Sequence, residues 1–326
     1  MGHGMSSELS FKKWGGHAAI RSYSAEFIGM FFFLFVTIGV VCSFYGALAA
    51  SVEDLLPQVF SGTERQVDPA YQPQVGGKYA FNTAMVLTIA FAFGMSIMVL
   101  VFSIAHISGG HLNPAVTMAM ICFGKINVIR GIGYIIVQTL GATCGVAMVD
   151  ALWPNQVTDA VAFGANGYDH NVTSTAQAFF IEFFGTALLV FTIFGTAVDP
   201  RGSEFAHHNA PIAIGFAVFL AHIMMIPVTG CGINPARSFA SAVVSGSWDD
   251  QWLYWVAPLC GGPFGGALNY FAFQWKNNPE DEAGIMAAGA QEGDPELAER
   301  HTPAAVAGQE STVGVQSTAP VTTRSK

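Results

Sequence analysis

The chain predicts an all-α membrane protein: six transmembrane helices plus two re-entrant half-helices, arranged as an inverted internal repeat. Three observations predict it. Hydrophobic residues make up 52 % of the chain and charged residues 11 %, against roughly 45–50 % and 25 % in soluble domains. Six apolar, nearly charge-free stretches lie at about 23–50, 79–102, 128–150, 176–198, 210–228 and 251–275, each near the roughly 20 residues that a spanning helix needs. The tripeptide Asn-Pro-Ala occurs twice, at Asn113-Pro114-Ala115 and Asn234-Pro235-Ala236, after the second and the fifth stretch.

Each tripeptide reads as a helix start. Asn is a favoured N-cap, Pro suits the first helical position because its missing N–H would be unpaired there anyway, and Ala propagates the helix. The apolar runs that follow, 113–123 and 234–244, hold 11 residues each. At roughly 1.5 Å per residue that is about 16 Å, half of a hydrocarbon core about 30 Å thick. Neither run crosses alone, and a broken helix at membrane depth is tolerated only where its free backbone groups are buried in protein or face water. One copy would read as a chance turn; two, each opening an apolar run, imply an internal polar path.

The first span of each half carries a matching segment, Ala25-Glu26-Phe27-Ile28-Gly29 and Ile181-Glu182-Phe183-Phe184-Gly185. With three spans per repeat, the halves sit upside down relative to each other. Glu26 precedes Asn113 by 87 positions and Glu182 precedes Asn234 by 52, so the first half carries 35 extra residues, mainly in the polar stretch 51–78. The domain plan is an N-terminal segment 1–22, a core 23–275 and a tail 276–326. Within the core, repeat one is 23–150 with the insertion 51–78, and repeat two is 176–275. The tail has eight acidic and four basic residues amid Ala, Gly, Ser, Thr and Pro, which predicts disorder.

Lys12, Lys13, Arg21, Lys125, Arg130, Arg201 and Lys276 share one side in this plan, with only Arg65 and Lys78 opposite. Both termini are therefore expected in the cytoplasm. Loop 151–175 then faces outward and contains Asn171-Val172-Thr173, which matches the N-glycosylation acceptor pattern.

The net charge of −9 argues against nucleic-acid binding. Cys42, Cys122, Cys144, Cys231 and Cys260 lie in or beside apolar stretches without CxxC spacing, so neither a disulfide framework nor a metal site is expected. No cleavable signal peptide is evident at the N-terminus. No GxxxxGK[ST], GxSxG or HExxH motif is present, which leaves an intramembrane hydrolase without its machinery and predicts no enzyme and no cofactor.

The stretches Ser108-Gly109-Gly110-His111-Leu112-Asn113-Pro114-Ala115-Val116-Thr117 and Thr229-Gly230-Cys231-Gly232-Ile233-Asn234-Pro235-Ala236-Arg237-Ser238-Phe239 resemble the two signature loops of the aquaporin (major intrinsic protein) family. The resemblance covers roughly residues 23–275. It implies a bundle whose half-helices meet at the midplane, one pore per subunit of a homotetramer embedded in lipid, and water as the permeant. At the meeting point the Asn113 and Asn234 amides would offer N–H donors to passing water, and both half-helix N-termini would repel cations there. Read without the resemblance, these Asn are helix caps, a role compatible with pore lining.

By similarity, an aromatic/arginine filter falls on Phe93, His222, Cys231 and Arg237, each at fixed spacing from its Asn-Pro-Ala. Taken alone, Phe93 is one of 27 phenylalanines, His222 a helix–helix hydrogen bonder and Cys231 a small buried residue. Arg237 is the basic residue inside an otherwise apolar region, and its fixed charge with five donors suits cation exclusion. The resemblance turns Gly109, Gly110, His111, Gly230, Gly232 and Ile233 into a ladder of backbone carbonyls. Glu26 and Glu182, with Gln138, are expected to hydrogen-bond the re-entrant loops rather than carry protons.

Ser238, His222, Ala242 and Tyr254-Trp255 look like the water-selective pattern. Residues 214–219 and 248–252 look like plant plasma-membrane members, whereas Cys231 matches animal water channels. Loop 199–210, with His207 and His208, is read as a connector rather than a histidine gate. The alternatives are a broader facilitator of glycerol, urea or hydrogen peroxide, and a junctional or adhesion protein using 51–78.

Overall fold

Every regular element among the described residues is helical. The structure, a computed structural model, describes residues 16–60, 83–199 and 204–274. The expected tail 276–326, residues 1–15 of the segment 1–22 and the insertion beyond residue 60 lie outside them. The helices are α1 His17–Phe60, α2 Thr83–Ser108, α3 Pro114–Cys122, α4 Val128–Leu152, α5 Asn155–Ala160, α6 Thr175–Ile193, α7 Glu204–Thr229, α8 Pro235–Ser245 and α9 Leu253–Asn269.

Five of these (α1, α2, α4, α6 and α7) contain a membrane-length apolar stretch. The 17 residues of α9 run without a break into the five-residue π turn Tyr270–Gln274. At roughly 1.5 Å per residue the pair reaches about 33 Å, enough for a sixth crossing.

Several boundaries differ from the sequence expectation. Helix α1 runs to Phe60, ten residues into the expected insertion: residues 47–56 hold neither Gly nor Pro, and the helix continues past Pro57. Helix α2 extends past 102 to Ser108: the Ser103 hydroxyl bonds the Val99 carbonyl at 2.7 Å instead of breaking the helix, which stops where Gly109 takes φ +95°. Loop 151–175 contains α5 and a 3₁₀ turn, Ala162–Gly164.

Helix α1 packs along α4, α6 along α9, and α2 against α7. Half-helix α3 lies against α9 and α8 against α4, so each is held by the third span of the other repeat. Exchanging α1, α2, α3 and α4 for α6, α7, α8 and α9 reproduces the same set of neighbours. Small residues make these seams. A Cβ on Gly141 or Gly145 would strike the carbonyl oxygens of Phe27 and Phe31, and one on Gly261 or Gly265 those of Phe183 and Ala187. Without water to drive helices together inside lipid, such backbone approach supplies the dispersion contact that holds them.

Candidate functional site

The two Asn-Pro-Ala turns fold as their residue types dictate. Asn113 and Asn234 are extended caps, with φ −165° and −145°. Asn113 Oδ1 accepts from the Ala115 N–H at 2.8 Å, and Asn234 Oδ1 accepts from Ala236 and Arg237 at 3.2 and 3.3 Å. Each amide also reaches into the other repeat: Asn113 Nδ2 donates to the Ile233 carbonyl and Asn234 Nδ2 to the Leu112 carbonyl, both at 2.8 Å. Leu112 and Ile233 present those carbonyls by adopting φ +50° and +42°, a strained region for branched residues that the surrounding bonds enforce. One N–H of each amide is thus committed to joining the half-helices. The second remains for the lumen.

Two buried carboxyls hold the loops. Glu26 accepts from Ser108 Oγ (2.6 Å), His111 N (3.0 Å), Leu112 N (2.8 Å) and Gln138 Nε2 (2.8 Å). Glu182 accepts from Thr229 Oγ1 (2.6 Å), Gly232 N (2.8 Å) and Ile233 N (2.8 Å). Each loop's orphan N–H groups therefore end on a carboxyl from the first span of its own repeat, the arrangement that irregular backbone inside a membrane requires. Two tyrosines close the same loops from outside. Tyr134 Oη donates to the Ser108 carbonyl at 2.8 Å and Tyr254 Oη to the Thr229 carbonyl at 2.9 Å. Sequence reasoning assigned neither this role, although their spacing from the two Asn, 21 and 20 positions, repeats.

A cavity of about 490 Å³ runs between α2 and α7 past both Asn-Pro-Ala turns. Phe93, Ile97, Val101 and Ala105 line it from α2 at helical spacing, and Pro211, Ile214, Val218 and His222 line it from α7. Asn113, Asn234, Gly109, Gly110, His111, Gly232 and Ile233 also face it. Gly230 and Cys231 are not among its lining residues. Cys231 is fully buried with Sγ 4.0 Å from Met225 Sδ.

Phe93, His222 and Arg237 converge at one end of the cavity. The Phe93 and His222 rings stack with centroids 4.3 Å apart, and the Arg237 guanidinium lies 5.2 Å from the Phe93 centroid. His222 Nδ1 pairs with the Val218 carbonyl at 2.8 Å, leaving Nε2 buried without a partner. Arg237 Nη1 donates to the Gly164 carbonyl at 2.6 Å and to Asn166 Oδ1 at 2.8 Å, while its Nε has no protein partner. Donors held this way at the cavity wall can bond a small neutral molecule, while the fixed charge opposes a cation.

The 3₁₀ turn and the loop after it therefore aim the arginine. Nothing in the sequence marked Gly164 or Asn166, which contact Arg237 across more than 70 positions. The loop is anchored in turn: Tyr168 Oη donates to Thr175 Oγ1 at 3.0 Å, and His170 Nε2 pairs with Asp250 at 2.8 Å. Burial, aided by the Asp250 carboxylate, raises the Tyr168 phenol above its ordinary value, which keeps it a donor. Asn171 is exposed on the same loop.

A family model described as Major intrinsic protein matches residues 13–270. The chain belongs to the major intrinsic protein family. Aquaporin PIP2-7 of Arabidopsis thaliana is 40 % identical over 271 residues, covering 80 % of this chain and 81 % of that protein. Aquaporin PIP2-5 of Oryza sativa subsp. japonica is 39 % identical over 257 residues, covering 76 % and 81 %. The X-ray structure of the aquaglyceroporin from Plasmodium falciparum superposes with a TM-score of 0.59 at 20 % identity, covering 78 % of this chain and 97 % of that one. At that identity the likeness speaks for the fold alone. The multi-pass helical membrane architecture expected from the sequence is thus that of a major intrinsic protein, and these sequence relatives are plant aquaporins.

Proposed function

We propose that this protein is a passive water channel, driven only by an osmotic gradient. One observation carries the reading: two Asn amides, each with one N–H free, face a continuous cavity where two half-helix N-termini meet. Those donors orient a water by its oxygen while the converging dipoles, about +0.5 charge each, oppose hydronium and metal cations. Phe93, His222 and Arg237 form the entrance filter. The tight Phe93–His222 stack favours water over glycerol, which is wider and carries an apolar edge. The Cys231 thiol is turned to Met225, so the filter rests on Phe93, His222 and Arg237.

Both termini face the cytoplasm in this reading, which the distribution of basic residues supports, and Asn171 faces the outside. The setting is the plasma membrane and the assembly a homotetramer, readings supported by the likeness to plant aquaporins. Residues 23–275 form the channel core, with 276–326 a cytoplasmic tail.

Stopped-flow swelling of reconstituted vesicles tests the proposal. Water permeability should far exceed that of protein-free vesicles, with glycerol at background. Fast glycerol flux with slow water flux overturns it in favour of a broader facilitator.

A further inference from the structure

A second cavity, of about 570 Å³, opens where the start of α1, the end of α2 and the turn between α3 and α4 meet. Arg21, Lys125, Arg130 and His106 line it, and among the described residues no Asp or Glu does. Among the described residues the ion pair present joins His170 and Asp250, so none of the three cations is neutralised by a described carboxylate. Glu26, on α1, is occupied by four hydrogen bonds to its loop.

Arg130 is only partly used. One Nη donates to Ser22 Oγ at 2.7 Å and to Tyr134 Oη at 2.9 Å, but its Nε is buried without a partner. A guanidinium fixed on one edge with an unpaired donor on another is preorganised for an oxyanion. Next to this crevice the helix faces are apolar and exposed, with Ile20 57 %, Val128 55 % and Ile129 44 % accessible. A cationic crevice bordered by such a face suits a headgroup at the membrane surface.

We infer that this crevice binds a phosphate whose negative charge no attached cation offsets, supplied by a net-anionic lipid of the cytoplasmic leaflet or by a soluble phosphate. The inference takes its sidedness from the proposed topology.

The test titrates the detergent-solubilised full chain with phosphatidylserine or phosphatidylcholine and follows adducts by native mass spectrometry. Phosphatidylserine should bind and phosphatidylcholine should not. The double variant Arg21→Gln/Lys125→Gln should bind phosphatidylserine about thirtyfold more weakly, the attraction of two cations to an anionic surface. Arg130 is left intact because it also supports the loop through Tyr134. Adducts that millimolar inorganic phosphate displaces from the wild type, but cannot form on the variant, assign the site to the soluble anion; adducts that resist displacement assign it to the lipid. Equal phosphatidylserine binding by variant and wild type, or equal binding of the two lipids by wild type, overturns the inference. Swelling of phosphatidylcholine vesicles should be the same for both proteins, which shows that the variant is folded. Wild-type vesicles that fail to swell would reject the channel reading and leave the lipid result standing.

Discussion

The two re-entrant loops share a skeleton and differ at the positions that face the water path. Glu26 with Ser108 and Tyr134 in repeat one corresponds to Glu182 with Thr229 and Tyr254 in repeat two. The residue two before each Asn is His111 in one loop and Gly232 in the other, and the residue three after is Val116 or Arg237. All four face the cavity. Repeat one surrounds its loop with an added polar cluster, in which Gln138 Nε2 donates to Thr117 Oγ1 at 3.1 Å and His111 Nδ1 pairs with the same hydroxyl at 3.1 Å. Repeat two has Pro258 where Gln138 stands and places a cation held by the 161–167 segment. Symmetry here is a property of backbone satisfaction. The symmetry breaks at two offsets from the Asn, where the side chains lining the cavity differ.

The strongest break targets the carboxyls. Glu182→Ala leaves three buried donors without an acceptor, each costing about 1–3 kcal/mol. It should abolish recovery of monodisperse protein in detergent. Glu26→Ala should be less damaging, because the Gln138 amide can turn its oxygen toward the vacated N–H groups whereas Pro258 offers nothing. Equal loss of folded protein in size-exclusion profiles would show that the extra polar cluster of repeat one gives no reserve.

Making repeat two resemble repeat one is the next test. Arg237→Val should change water permeability by less than about twofold while urea permeability rises on the order of tenfold, since the charge and the donors that narrow the entrance are gone. Solute-swelling assays read both; a variant impermeable to urea would place the narrow point elsewhere. Asn166→Ala is the milder version. It removes one charge-assisted bond, worth roughly 1.5–3 kcal/mol, but leaves the Gly164 carbonyl on the arginine. Urea leak should rise by only about twofold, with water flux unchanged.

Much of the bundle was legible because lipid demands it. Apolar stretches give the helices, and Asn-Pro-Ala gives the two starts because cap chemistry is local. The carboxyls Glu26 and Glu182 were legible as costly charges needing donors, and the loops that lie beside them supply those donors. What escaped was contact made at long range by ordinary residues. The cross-repeat bonds of the Asn amides depend on how Leu112 and Ile233 turn their carbonyls, and no residue type announces φ +50° at a leucine. The hold of Asn166 on Arg237 depends on a loop whose length and composition were unremarkable. Helix α1 overran its expected end because polarity marks where a span leaves the hydrocarbon, whereas the helix itself can continue into polar surroundings.

The smallest effect probes whether the skeleton is as symmetric energetically as it is in geometry. Tyr134→Phe and Tyr254→Phe each remove one neutral hydrogen bond to a loop carbonyl, at 2.8 and 2.9 Å, a change worth about 1 kcal/mol. The Tyr134 hydroxyl also accepts from Arg130 at 2.9 Å, so its loss frees a second donor and should cost slightly more. Thermal scanning of the two single variants and the double in detergent measures this, and well-separated sites should add. A double variant less stable than the sum would mean that the loops are coupled through the Asn113 and Asn234 bridges, which are the bonds that join one loop to the other.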